Sequence, residues 1–157
     1  MACESPGTLP LGRPEIEARI PHRAPFLFVD RVLELSDEAI TSEWNILPEL
    51  PFLAGHYPGD PIVPGVLVNE FVFQSAAILM SEPEEGRTSS GAVPVLTRVE
   101  DARFKRMVRP GAVLRAEVTL TDRLGPACYM KARVTSAGEL VARLVFVVAL
   151  TTPEVSA

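Results

Sequence analysis

The chain has 157 residues and a mass of 17.0 kDa, the length of one domain whose core needs neither disulfides nor metal for stability. Hydrophobic residues make up 47% and charged residues 22%, which excludes general disorder, and a net charge of −5 disfavours a dedicated nucleic-acid binder. Two cysteines, Cys3 and Cys128, and two histidines, His22 and His56, rule out a disulfide scaffold and a multi-cysteine zinc site, and argue against a histidine-rich metal centre.

Residues 1–13 contain two prolines, two glycines and no periodic pattern, which predicts a flexible tail, with a single domain over 14–157. The first residues lack the basic flank and apolar core of a secretory signal. The longest apolar stretch, 66–80, is shorter than the ~20 residues that span a bilayer, so a cytoplasmic protein with no membrane span is expected. A short helix is predicted over 14–20, with Pro14 at its first position. Residues 26–35, rich in aromatic and branched side chains, read as a strand, and 40–46 alternate as a second. Five prolines between 48 and 64 forbid long regular structure and restrict the loop, so it is expected to be ordered and a natural place for chemistry.

The one long helix is predicted over 64–80, roughly 25 Å in length. Its apolar residues point in nearly every direction, the mark of a buried helix. After a polar linker over 81–90, strands are predicted over 92–105, 114–121, 130–135 and 140–150, with a turn at Ser136-Ala137-Gly138. The last strand is apolar on both faces, as a central strand is. Six strands and one buried helix give an α+β layout, an antiparallel sheet curled around a helix. The chain has no glycine-rich phosphate loop and no βαβ rhythm, and no cofactor is expected.

Two residues stand out chemically. His56 lies on the proline-bounded loop, and Glu70 lies fourteen positions later within the apolar helix. A lone histidine is as readily structural as functional. A carboxylate within an apolar helix costs several kcal/mol unless paired or neutral. Gln74, one turn after Glu70, extends a polar stripe that marks either a functional cavity or a structural network. Apolar neighbours favour the protonated acid at Glu70, and a neutral His56 would be the matching base, the pairing required for proton abstraction and elimination. Gly65 at the helix start offers an unpaired N–H and no side chain, suited to a developing oxyanion.

The stretch from Phe52 to Gln74, built on Gly55-His56-Tyr57-Pro58-Gly59-Asp60 and Pro64-Gly65, resembles the signature of the bacterial 3-hydroxyacyl-[acyl-carrier-protein] dehydratases. Two further segments resemble that family: Ile20-Pro21-His22-Arg23-Ala24-Pro25-Phe26, running on to Val32, and Ala102-Arg103-Phe104-Lys105-Arg106, running on to Gly111. The resemblance covers residues 14–151 and implies a hot-dog fold. It also implies dehydration of 3-hydroxyacyl thioesters on acyl carrier protein to trans-2-enoyl thioesters. His56 matches the histidine that removes the α-proton, Glu70 the acid that helps the hydroxyl leave, and Gly65 the amide facing the thioester carbonyl. Tyr57 and Gln74 are assigned with Gly65 to substrate binding. The family pairs one subunit's histidine with the other's glutamate in a homodimer, commonly as a trimer of dimers. Glutamate rather than aspartate at position 70 favours the simple dehydratase over its isomerising relative.

His22 is read as structural. Arg98, Arg103, Lys105, Arg106 and Arg109 form a basic cluster, read either as a solvated strand face or as a dock for an acidic acyl carrier protein and its phosphopantetheine. Four positions depart from the family pattern. Asn69, Phe71 and Phe73 surround Glu70 where small residues are usual, and Met107 stands where proline is common, which bears on the acyl tunnel and chain length. Two alternatives stand beside dehydration: a hot-dog thioesterase, with Glu70 activating water, and a non-catalytic acyl-binding subunit.

Overall fold

The computed structural model describes residues 8–81 and 92–152. It has two α-helices and six strands: α1 (Arg13–Arg19), β1 (Arg31–Leu35), β2 (Ala39–Asn45), α2 (Gly65–Met80), β3 (Val93–Phe104), β4 (Val113–Leu124), β5 (Ala127–Ser136) and β6 (Glu139–Thr151). A single 3₁₀ turn, Pro51–Ala54, precedes the His56 loop. The strands form one antiparallel sheet in the order β1-β2-β4-β5-β6-β3.

Alternation decides which face of the sheet meets the helix. In register across β2, β4, β5 and β6, Ser42 pairs with Ala116, Ala116 with Val134, and Val134 with Ala142, and all four are buried. Trp44 opposite Leu114, and Met130 opposite Phe146, continue that face. The register shifts at Leu96/Arg98, Val99/Asp101, Leu120/Asp122 and Val134/Thr135. Such bulges bend and twist long strands, which lets a sheet with strands of 10–13 residues curl around α2. β6 lies between β5 and β3 and is buried on both faces from Leu144 onward through Val148, apart from Val145, as its composition requires. Ala137 (φ 49°) and Gly138 (φ 80°) close the β5–β6 hairpin as a two-residue turn whose left-handed backbone matches the strand twist.

The C-terminal half of α2, from Gln74 to Leu79, is buried throughout, whereas Val66 is 72% exposed and Leu67, Asn69, Glu70 and Phe73 are half-buried. The two buried hydroxyls satisfy one another: the Ser42 and Ser75 oxygens are 2.7 Å apart, and Ser75 donates to the Phe71 carbonyl. Phe71, one of the departures from the family pattern, is fully buried against Trp44, with ring centroids 5.8 Å apart. Phe73 packs edge-on against Phe146. Both rings therefore serve the core.

Two predicted boundaries move. Leu11, placed by sequence in the flexible tail, is buried and exchanges both backbone hydrogen bonds with Val32, and Gly12 caps α1. The segment thus adds to the β1 edge, while residues 1–7 lie outside the described residues. Residues 26–30, predicted as strand, are irregular, because a side chain takes the place of a neighbouring strand. Phe28 N–H donates to Gln74 Oε1, and Gln74 Nε2 donates to the Phe26 carbonyl. Pairing with β2 begins only at Asp30, whose N–H donates to the Glu43 carbonyl. Of the linker predicted over 81–90, only Ser81 lies among the described residues.

Candidate active site

His56 follows the Pro51–Ala54 turn, held from below by buried Leu53 and from beyond by buried Val63, whose N–H donates to the Val108 carbonyl. Its Nδ1 lies 2.8 Å from the Ile62 carbonyl oxygen. A carbonyl only accepts, so Nδ1 carries a hydrogen, and in the neutral imidazole the lone pair lies on Nε2. Tyr57, in the left-handed region (φ 55°), packs its ring edge against the His56 imidazole, with centroids 4.8 Å apart. Tyr57 is exposed, and its ring contact is with the His56 imidazole.

Glu70 is set by Gln74, one turn along α2. Gln74 is 1% exposed, and its two amide hydrogens go to Glu70 Oε1 (3.0 Å) and the Phe26 carbonyl (3.1 Å), while its oxygen accepts the Phe28 N–H (2.8 Å). The amide orientation follows from that network. With both of its donors engaged by the protein, Gln74 holds the Glu70 carboxyl in place. His22 Nε2 stands 3.7 Å from the same Glu70 oxygen, a contact that sequence reading missed by treating His22 as a turn residue. Both neighbours fall on Oε1, and among the described residues Oε2 accepts no hydrogen bond. Nor does any hydrogen bond or ion pair join His56 to Glu70 within one chain; the two act from different elements.

Gly65 opens α2. Leu67 and Val68 N–H groups reach the Pro64 carbonyl, and no side chain caps the helix, so the Gly65 N–H has no acceptor among the described residues. Packing at the glycine is tight: a Cβ there would lie 3.1 Å from the Phe104 ring at the end of β3, and the ring would have to give by a few tenths of an ångström. Phe104 is half exposed and shields the helix start from one side.

The basic cluster is largely neutralised. Arg98 pairs with Glu100, Arg103 with Asp101 and Arg106 with Glu139. Arg109 clasps Asp60 with both terminal nitrogens, and this hydrogen bond and the carboxylate charge raise its pKa further above its ordinary value. Lys105 alone of the five has no ion-pair partner among the described residues. The Arg109–Asp60 clasp ties the 105–110 loop to the loop bearing His56. Beside it opens a cleft of about 700 Å³ lined by Phe104, Arg106, Met107, Arg109 and Val141 among others, and by neither His56 nor Glu70. Among the described residues no group of histidine, cysteine and carboxylate side chains forms a metal cage, and no helix is long and apolar enough to cross a membrane.

Residues 20–144 match the family profile described as the FabA-like domain. The chain is 40% identical over 128 residues to the 3-hydroxyacyl-[acyl-carrier-protein] dehydratase FabZ of Geobacillus sp. (strain WCH70), covering 81% of this chain and 86% of that one. It is 38% identical to the protein of that name from Streptococcus pyogenes serotype M1, covering 82% and 90%. Among solved structures, the dehydratase heterocomplex ApeI:P of Xenorhabdus doucetiae superposes with a TM-score of 0.73 at 17% identity, covering 93% of each chain. A hypothetical thioesterase of Streptococcus pneumoniae, solved with coenzyme A, superposes at 0.59 and 14% identity, covering 77% and 84%. At such low identity these likenesses show the shared hot-dog fold alone.

Proposed function

The chain belongs to the FabA-like family and is a 3-hydroxyacyl-[acyl-carrier-protein] dehydratase of fatty acid biosynthesis, and we propose that it works with His56 as base and Glu70 as acid, joined across a homodimer. The observation that carries this reading is complementary commitment. His56 spends Nδ1 on Ile62 and keeps Nε2 for a proton, and Glu70 is held through Oε1 and keeps Oε2. His56 Nε2 takes the α-proton of the 3-hydroxyacyl thioester, and the C–H electrons move toward the thioester carbonyl, whose oxygen faces the Gly65 N–H. As they return to form the C2–C3 double bond, the C3–O bond breaks and the hydroxyl departs as water with the Glu70 proton. His56 is left protonated and Glu70 ionised, and solvent exchange restores both.

The exposed surface supports a second subunit. β3 is a sheet edge twelve residues long with exposed Val95, Leu96 and Val99, an edge that a stable protein covers. Exposed Val66 on α2 adds to the same requirement. The homodimer, and a trimer of dimers built from it, are our proposals, as is the cytoplasm as its place of work.

The defining assay follows the ultraviolet absorbance of trans-2-enoyl thioesters during hydration, the reverse reaction. Loss of the enoyl chromophore without release of thiol is expected. Thiol release would identify a thioesterase, and inertness toward several chain lengths a non-catalytic acyl-binding subunit.

For the carrier, the acyl carrier protein and its phosphopantetheine-linked chain are proposed to meet the surface bearing Arg103, Lys105, Arg106 and Arg109. Lys105, with its charge uncommitted, contributes most to steering. Lys105→Glu should raise KM for carrier-linked substrate several-fold and leave turnover of the N-acetylcysteamine thioester unchanged. Equal losses on both substrates would remove the docking role.

A further inference from the structure

His22 and Glu70 come from segments 48 positions apart, and the protein places them together with some care. Arg23 donates to the carbonyls of Glu17, Ile20 and His22, which fastens the turn to the end of α1. Gln74 then ties Phe26 and Phe28 to α2. Between those two clamps the His22 imidazole faces the Glu70 carboxyl, Nε2 toward Oε1 at 3.7 Å, with each side chain about a quarter exposed. On the other side of the ring, Nδ1 is buried without a partner. A ring proton is better placed on the nitrogen that has an acceptor to face, so the neutral imidazole carries its hydrogen on Nε2.

From this geometry we infer that His22 is a positioning residue for Glu70, a second donor to Oε1 whose hydrogen bond closes as the acid gives up its proton. The inference rests on the reading of Glu70 as the acid. At 3.7 Å the contact is too long for a hydrogen bond in the resting chain. While Glu70 is protonated on Oε2, Oε1 is a carbonyl oxygen satisfied by Gln74. Once the proton has left with the hydroxyl, the negative charge spreads to Oε1, and a second N–H within a small rotation stabilises it. An interaction absent from the ground state and present as charge develops raises kcat rather than lowering KM. It also keeps Oε2, not Oε1, directed at the substrate.

The test compares His22→Ala, His22→Leu and His22→Gln in the full-length protein, using a (3R)-3-hydroxyacyl N-acetylcysteamine thioester and the initial rise of enoyl absorbance, with Glu70→Gln as the reference background. The glutamine amide places an N–H near the position of Nε2, and leucine fills the volume without one. Alanine and leucine should each lower kcat about tenfold, the effect of one hydrogen bond to a developing charge, with KM within twofold. Glutamine should recover most of the loss. In the Glu70→Gln background, His22→Leu should change the residual rate less than twofold. Unchanged kcat in the leucine variant, equal loss in the leucine and glutamine variants, or full additivity with Glu70→Gln would each overturn the inference. If Glu70→Gln itself retains the normal rate, the assignment of the acid fails instead, a result distinct from the other three. Should alanine prevent folding, the leucine–glutamine comparison decides alone.

Discussion

His56→Ala and Glu70→Gln are each expected to lower kcat for enoyl-thioester hydration by ~10²–10⁴-fold, the range for losing a positioned acid or base. Far-UV circular dichroism and the melting temperature should stay close to those of the unaltered protein. Neither side chain belongs to the buried core: His56 sits on a surface loop, and Glu70 is half-buried on the less covered end of α2. Mixing carries more information than either variant alone. If the site is shared between subunits, unfolding and refolding the two inactive proteins together gives mixed dimers in about half of the population. Each mixed dimer has one intact pair of residues, so about a quarter of the normal activity returns. A site contained in one chain would give no recovery, and the seam proposed along β3 would then have to be abandoned.

The other large effect is expected at Gln74. Replacing it with leucine keeps the volume and removes three hydrogen bonds at once, leaving the buried Phe28 N–H without an acceptor. An unsatisfied buried group costs about 1–3 kcal/mol, so the total loss is expected at roughly 2–5 kcal/mol. At about 2–4 °C per kcal/mol for a domain of this size, the melting temperature should fall by roughly 5–15 °C. Turnover should fall as well, by about tenfold, since Glu70 loses the donor that fixes its rotamer. Gln74→Glu is a second check on the donors. Its carboxylate still accepts the Phe28 N–H, but it is buried facing the Phe26 carbonyl and the Glu70 carboxyl with no hydrogen to offer either, so activity and stability should each fall at least as far as in the leucine variant. A leucine variant with unchanged melting temperature would show that the 26–30 segment is held by something other than this amide.

Much of this molecule is written in local pattern. Period-two alternation locates β2, β4 and β5 because one face of each meets the helix and the other meets water, and the doubly apolar β6 lies between two strands. The helix is located by proline at its start and a long, mostly apolar run interrupted by Asn69, Glu70, Gln74 and Ser75. Local pattern failed where a distant group intervened. Residues 26–30 have strand composition, yet their backbone bonds go to Gln74, 46 and 48 positions away. Leu11 belongs to the fold through backbone bonds to Val32, a pairing that no feature of residues 1–13 announces.

The same division holds at the site. The amino-acid sequence by itself determined the chemistry: an imidazole on a proline-bounded loop, a carboxyl in an apolar helix and a bare glycine amide at its start, because residue type and spacing suffice to specify those. Tertiary structure alone decided which atom of each is left free. The tautomer of His56 depends on the Ile62 carbonyl, the free oxygen of Glu70 depends on Gln74 and His22, and the charge available near Lys105 depends on carboxylates paired with the neighbouring arginines. Hydrogen bonds and ion pairs act over about 3–4 Å whatever the separation along the chain, so only folding can say which groups come within that reach.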